Sequence, residues 1–181
     1  DTPVYHFSIN IGGPEKRKGF TKFDEDKLGF YDFGPHVASS PKGAQDRYVS
    51  QVGGVRDKDG EIILKSDAEA KGATFPLLAD LSKPFNNPKT GKPFTEDELI
   101  NFKVEKISEI LNKPFTRDDL LLESKLGFYD NDNLSVDTIR DAVNKISFNL
   151  AKEGFTHVPY VNAYEDVGKL SYEMLIDRPV N

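Results

Sequence analysis

The hydrophobic rhythm of the chain changes near residue 90. Before that point, apolar and polar residues alternate, as in the segment 4–11, and alternation is typical of a strand with one buried face. After it, apolar residues recur at helical spacing in two segments. These residues are Ile100, Val104, Ile107 and Leu111 in the first segment, and Ile139, Val143, Ile146 and Leu150 in the second. We therefore expect an α+β fold, with a small antiparallel sheet from the N-terminal half packed against three or four C-terminal helices.

The length of 181 residues suits one buried core, so a single domain covering 1–181 is expected. Its β-rich part is 1–81 and its helical part is 95–181. The connection 82–94 is too rich in Pro, Gly and Asn to form a regular element.

Three weaker patterns complete the prediction of secondary structure. Segments 47–55 and 61–65 flank an Asp-Gly dipeptide and predict a β-hairpin. Residues 39–43 have the composition of a loop. Apolar residues between Tyr160 and Met174 indicate one more helix.

Helix starts are predicted where a hydroxyl residue precedes an apolar run. Thr95, Thr116 and Ser135 occupy N-cap positions, and Glu98 and Asp119 lie three residues after the two threonines. A hydroxyl and an acidic residue at that spacing can satisfy the exposed N–H groups of a first helical turn.

Composition excludes several classes of function. The chain has no cysteine, which rules out disulfides, zinc-thiolate sites, iron–sulfur clusters and cysteine nucleophiles. Its net charge is −6, and the excess of acidic residues lies in the second half, so binding to nucleic acid or to anionic membranes is not expected. No apolar run is long enough to cross a bilayer, and no P-loop, GxSxG or HExxH motif occurs.

The first residue is Asp1 rather than methionine. This fits removal of an export signal, and it fits trimming of the chain equally well. We expect a secreted or periplasmic protein.

One hexapeptide, Lys-Leu-Gly-Phe-Tyr-Asp, occurs at 27–32 and again at 125–130. Its adjacent aromatics could line one ligand site from two sides, because aromatic residues on loops often form contact surfaces. The aromatic residues concerned are Phe30, Tyr31, Phe128 and Tyr129. The structural alternative is a glycine that ends a short helix and returns the aromatic residues to the core.

Two of the three histidines are candidate general bases. His36 follows a glycine and a proline in a predicted loop, where catalytic side chains are often held. Asp32 or Asp130 could orient the ring of whichever histidine is the base. His157 is the other candidate base.

With Tyr160 and Tyr164, His157 could also line a site or ligate a flat cofactor. For both histidines the alternative is purely structural, as a turn residue for His36 and as core packing for His157.

An acidic cluster near residue 130 could bind calcium, since alternating oxygen donors suit that ion. Its candidate ligands are Asp130, Asp132 and Asp137. The twelve-residue loop of an EF-hand does not fit this segment, however, and a turn followed by a capped helix explains it as well.

These patterns favour a non-catalytic, exported binding protein whose aromatic-lined surface lies between sheet and helices. Its partner would be a small molecule or a protein. The alternatives are a small hydrolase, lyase or isomerase with a histidine base, and a calcium-stabilised structural domain. The sequence identifies no cofactor and no oligomeric state.

Overall fold

A six-stranded sheet lies at the centre of the computed structural model, which describes residues 2–8, 31–51, 55–56, 62–63, 73–120, 135–163 and 166–176. The strands in chain order are β1 (Thr2–Ser8), β2 (His36–Ala38), β3 (Val55–Arg56), β4 (Ile62–Ile63), β5 (Ala73–Ala79), β6 (Phe94–Thr95), β7 (His157–Val161) and β8 (Leu170–Met174). The sheet order is β5-β1-β2-β8-β7-β6, while β3 and β4 form a separate two-stranded ribbon. The described helices are α1 (Pro41–Gln51), α2 (Glu96–Leu111) and α3 (Val136–Lys152), with a further helical segment at 117–120.

The prediction of a mixed architecture is confirmed, but the predicted composition of the sheet is wrong in two respects. Strands β6, β7 and β8 come from the half of the chain that was expected to be helical. In addition, β6 runs parallel to β7, whereas the other pairs in the sheet are antiparallel. The sheet is therefore mixed and is built from both halves of the chain.

The helix predicted between Tyr160 and Met174 is wrong, because the chain forms the hairpin β7–β8 there. Four of the five β7 residues are buried, so both faces of this strand are covered and no alternation of polar and apolar residues is needed. Asp166 and Gly168 adopt positive φ angles of 44° and 82° in the connecting turn.

The strand predicted at 47–55 and the loop predicted at 39–43 are also wrong over most of their length. Helix α1 occupies Pro41–Gln51, and among the described residues of 47–55 only Val55 falls in a strand. Ser40 acts as the N-cap, since its Oγ accepts a hydrogen bond of 3.0 Å from the Gly43 N–H. Proline is well suited to the first helical position, because its fixed φ matches the helix.

The pairing of β3 with β4 agrees with the predicted hairpin, whose Asp-Gly turn lies outside the described residues.

The two strongest helix predictions are confirmed as α2 and α3. Thr95 and Glu98 form a complete capping box at the start of α2, and Ser135 caps α3 by accepting from the Thr138 N–H. Thr116 and Asp119 make the same reciprocal contacts at the start of segment 117–120. Within the described part of the chain, no helix is long and apolar enough to span a membrane.

The two faces of the sheet carry different side chains, because successive residues of a strand point to opposite sides. One face carries His36, Val158, Tyr160 and Glu173. It is called the helix face, because Val158 and Tyr160 belong to the same apolar cluster as residues of α2 and α3. The other side carries Val37, His157 and Tyr172 and is called the opposite face.

The larger core lies on the helix face. Its buried members are Phe33, Phe94, Leu99, Ile107, Phe115, Leu120, Ile139, Ala142, Val143, Ile146, Leu150, Val158 and Tyr160. Phenylalanine rings are concentrated here: Phe102 lies 5.4 Å from both Phe85 and Phe94, measured between ring centroids. Such spacings are typical of favourable aromatic pairs. A smaller cluster on the opposite face contains Val4, Val37, Ala79 and Tyr172.

Candidate functional site

The segment 31–36 brings Tyr31, Asp32, Phe33 and His36 to the helix face. Ser147 on α3 holds it from one side, donating a hydrogen bond of 2.6 Å to the Phe33 carbonyl. On the other side, Pro35 accepts a hydrogen bond of 2.9 Å from the Met174 N–H. Gly34 makes this close approach possible, because a Cβ at that position would lie 1.9 Å from the Met174 carbonyl oxygen.

A pocket of about 190 Å³ opens between this segment, the sheet and α2. The segment contributes Tyr31 and Asp32, and the sheet contributes His36, Tyr160 and Glu173. Its helical wall consists of Glu96, Leu99, Ile100 and Lys103. The pocket therefore combines two tyrosine rings, two aliphatic side chains and five ionisable groups.

His36 contacts polar groups through both nitrogens of its ring. Nε2 lies 2.9 Å from Asp32 Oδ1 and 3.5 Å from Glu173 Oε1. Nδ1 lies 3.3 Å from the Tyr160 hydroxyl. The tautomer that satisfies these contacts carries its proton on Nε2 and accepts from Tyr160 at Nδ1, since a carboxylate can only accept.

Strand pairing explains why these side chains meet. His36 on β2 is directly opposite Glu173 on β8, and paired residues share a face of the sheet. Tyr160 follows two residues after Val158, which is the β7 partner of Glu173. His6 supports β2 from the other neighbouring strand, because its Nδ1 donates to the His36 carbonyl at 3.0 Å.

A buried ion pair forms the floor of the pocket. Lys103 Nζ donates to both carboxylate oxygens of Glu173, at 2.6 and 2.8 Å, and only 1% of Lys103 is exposed. The Phe33 N–H adds a third hydrogen bond of 2.8 Å to the same carboxylate. Lys103 also lies 4.6 Å from the centre of the Phe33 ring and 5.5 Å from that of Tyr31. A buried charge is costly when it lacks partners. In this pair, both the ammonium group and the carboxylate have several partners.

Asp32, His36 and Glu173 are the one group of possible metal ligands found among the described residues, with donor atoms within 4.8 Å of one another. Two carboxylates and an imidazole suit zinc or a related transition metal. Glu173 already binds the ammonium group of Lys103 with both oxygens, however. A metal ion bound to Glu173 would face that positive charge at close range, so the donor set fits a metal poorly.

His157 is on the opposite face of the sheet and does not reach the pocket. It is 2% exposed, its ring lies edge-on to Tyr172 at 5.3 Å, and its Nδ1 is 3.0 Å from the Thr156 hydroxyl. Burial lowers the pKa of His157 to about 4, although the Asp80 carboxylate opposes the shift. Burial also raises the pKa of the Tyr172 hydroxyl. His157 is therefore a neutral core residue at neutral pH.

The structure brings together four of the residues singled out from the sequence: Tyr31, Asp32, His36 and Tyr160. His157 is separated from them by the sheet. Asp137 lies on the first turn of α3, exposed and 3.5 Å from Arg140. The remaining candidates lie outside the described residues: Phe30, Phe128, Tyr129, Asp130, Asp132 and Tyr164.

Sequence reasoning missed Lys103, Glu173 and Glu96. One signal pointed to the first of them: α2 buries Leu99, Lys103 and Ile107, which are four residues apart and form one stripe. A lysine within an apolar stripe indicates a buried charge that needs a partner. Nothing local pointed to Glu173, because its partners come from distant parts of the chain.

Comparisons with protein-family models, with curated proteins and with solved structures found no match to this chain.

Proposed function

We propose that this protein binds a small organic ligand in the pocket between the sheet and α2. The observation that carries the proposal is the pocket itself, in which Tyr31 and Tyr160 are combined with the contacting pair Asp32 and His36. Concave sites with an apolar lining and a few convergent polar groups are the usual binding sites of proteins.

The size of the pocket limits the ligand. Sites for drug-sized molecules have volumes of roughly 300–1,000 Å³. At about 190 Å³ this pocket suits a smaller molecule, such as a single substituted ring. The buried pair Lys103 and Glu173 would keep the floor of the pocket rigid, which reduces the entropy lost on binding.

The proposal is tested by screening a library of small polar fragments with amide-resolved NMR. We expect hits whose shifts cluster at Tyr31, Asp32, His36 and the first turns of α2. Ile100→Trp should abolish these hits because the indole fills the pocket. Ile110→Trp is the matched control, because Ile110 is a partly buried residue of the same helix that does not line the pocket.

Hits that map elsewhere and persist in Ile100→Trp would contradict the proposal. Tyr31→Ala gives a second check, because removal of the ring should weaken every hit that stacks on it. The predicted export of the chain is independent of these results and stays a prediction.

A second candidate function, acid–base catalysis, is favoured by the 2.9 Å contact between Asp32 and His36. Asp32 would hold the Nε2 proton, and His36 Nδ1 would accept the hydroxyl proton of Tyr160 while the Tyr160 oxygen takes a proton from the attacking water. In this arrangement Tyr160 is the base, His36 accepts the proton of Tyr160, and the Asp32 carboxylate orients His36.

Hydrolysis of p-nitrophenyl acetate tests this candidate. We expect the rate to fall by about 100-fold in His36→Gln, the lower end of the contribution of general acid–base catalysis. His157→Gln should retain the rate, since that ring lies on the opposite face. Equal rates in wild type and His36→Gln would exclude a catalytic role for His36 in this hydrolysis.

A further inference from the structure

We infer that Ser147 is a positioning residue of the pocket, and that it links the pocket to the chain that follows β8. The inference rests on the proposed binding function, because it concerns the same pocket. Ser147 lies on α3, is fully buried and is not among the described residues that line the pocket. Its effect on a ligand would therefore pass through the segment 31–36, which carries Tyr31 and Asp32.

The hydroxyl group of Ser147 departs from the apolar pattern around it. Val143 and Leu150, one turn away on either side along α3, are buried core residues. A buried hydroxyl costs free energy unless it is hydrogen-bonded, and a serine within a helix often bonds to the carbonyl four residues earlier. The Ser147 hydroxyl instead donates to the Phe33 carbonyl at 2.6 Å. This serine therefore holds the segment 31–36 against its helix.

Both backbone polar groups of Phe33 are bonded to buried side chains, since this residue lies outside the strands. The N–H donates to Glu173 Oε2 at 2.8 Å, and the carbonyl accepts from Ser147. A buried peptide group is costly when it is left without a partner, so the two contacts fix the Phe33 backbone. Tyr31 and Asp32 directly precede Phe33, and the wall of the pocket that they form follows its position.

A second hydrogen bond sets the direction of the Ser147 hydroxyl. The Ile176 N–H donates to Ser147 Oγ at 2.9 Å, so this oxygen accepts on one side and donates to Phe33 on the other. A hydroxyl has one hydrogen to donate, and hydrogen bonds in such a chain strengthen one another. Ile176 lies two residues after the end of β8. The chain after β8 is thereby connected to the wall of the pocket.

Ser147→Ala tests the positioning role. We expect the Tyr31 ring to shift relative to Lys103, whose Nζ lies 5.5 Å from the ring centroid, and NMR should show weaker nuclear Overhauser contacts between them. Phenol, a single substituted ring, should bind in the pocket about fivefold more weakly, in line with the loss of one hydrogen bond. Both readouts are taken on folded protein, so a residue that contributed to stability alone would change neither.

Ser108→Ala is the matched control. Ser108 Oγ also donates to a carbonyl, that of Lys113 at 2.7 Å, but it lies near the end of α2 and is not among the residues that line the pocket. This variant should leave the Tyr31 ring contacts and the phenol affinity unchanged. If Ser147→Ala also leaves both unchanged, the inference is overturned.

Two substitutions of Ile176 test the link to the chain after β8. Proline lacks the backbone N–H, whereas alanine keeps it. We expect Ile176→Pro to shift the Tyr31 ring contacts in the same direction as Ser147→Ala but by less, because the hydroxyl can still reach Phe33. Ile176→Ala should not shift them, and equal effects of the two substitutions would overturn the link.

Hydrogen exchange tests the same link if Ile176→Pro does not fold. In Ser147→Ala the Ile176 amide loses its acceptor and should exchange with solvent about fivefold faster than in wild type. An unchanged exchange rate would overturn the link.

The inference and the proposed function fail in different ways. The Tyr31 ring contacts need no ligand and decide the positioning role of Ser147. Phenol that binds neither wild type nor Ser147→Ala counts against the proposed binding function, which the fragment screen with Ile100→Trp decides separately.

Discussion

His36 and His157 lie on opposite faces of one sheet, and their surroundings differ in every respect that matters for function. His36 contacts two carboxylates and a tyrosine hydroxyl at the edge of a pocket. His157 is packed against the Tyr172 ring in an environment that lowers its pKa to about 4. Residue type alone does not distinguish the two roles. His36 lies among polar side chains at a pocket, whereas His157 is part of the core.

The largest effect is expected from breaking the ion pair beneath His36. Lys103→Met would leave Glu173 buried without its cation, and should lower the free energy of unfolding by about 3 to 5 kcal/mol. Urea denaturation measures the loss. Lys106→Met is the matched control on the same helix, because the pair Lys106 and Glu109 is largely exposed and should contribute at most about 0.5 kcal/mol.

A double variant sharpens this test. Adding Glu173→Gln to Lys103→Met removes the unpaired charge and should recover part of the loss. If Lys103→Met lowers the free energy of unfolding no more than Lys106→Met does, the buried ion pair does not stabilise the fold.

The next largest effect is expected at Gly34, on which the position of His36 depends. A methyl group there would collide with the Met174 carbonyl oxygen, so Gly34→Ala should cost about 3 kcal/mol, the upper end of the usual range for overpacking. NMR signals of the His36 ring should move more than those of His157, because His36 follows Gly34 by two residues in the segment that the methyl group would displace.

Gly91→Ala is the control for this variant. Gly91 has a φ of 69°, but a methyl group added there would meet no atom within 4 Å, so only backbone strain of about 1 kcal/mol is expected. Equal losses in the two variants would show that crowding at Met174 does not position the segment 31–36.

Acid should destabilise the protein through His157. Its folded-state pKa of about 4 lies below the unfolded value of 6.5, so the unfolded chain takes up the proton first. Stability is therefore lost as pH falls from about 6.5 to about 4, by about 2 to 3 kcal/mol from this residue. Denaturant unfolding at several pH values measures the change.

His157→Gln isolates this contribution, because glutamine does not titrate. The difference in unfolding free energy between wild type and His157→Gln should shift in favour of the variant as the pH falls. Parallel pH profiles for the two proteins would contradict the neutral, buried state of His157.

The smallest effects are expected from removing the hydroxyl group that contacts the imidazole ring of each histidine. Tyr160→Phe and Thr156→Val each remove a partner of an imidazole Nδ1, and each should cost about 1 kcal/mol. Tyr160→Phe should also alter fragment binding in the pocket, whereas Thr156→Val should not. An effect of Thr156→Val on the pocket would show that the two faces are coupled.

The candidate site could be predicted only in part. Asp32 and His36 are four residues apart, so sequence reasoning could pair them, and Tyr31 adjoins them. The sequence groups Tyr160 with the wrong histidine, His157, because the two are three residues apart. In a strand, neighbours three residues apart point to opposite faces, which separates Tyr160 from His157.

The sequence by itself determined the features that depend on interactions within one turn of helix. The capping box of Thr95 and Glu98 and the N-cap at Ser135 are local contacts, and the helices α2 and α3 follow from them and from their apolar spacing.

Only the tertiary structure decided that Lys103, Glu173, His36 and Tyr160 share one pocket. Those residues come from a helix and three strands, and the pairing of β2, β8 and β7 sets their register. Strand pairing joins segments that are distant in sequence, and a fully buried strand has no alternation to reveal it. The chemistry of the site is therefore a product of long-range pairing rather than of any local motif.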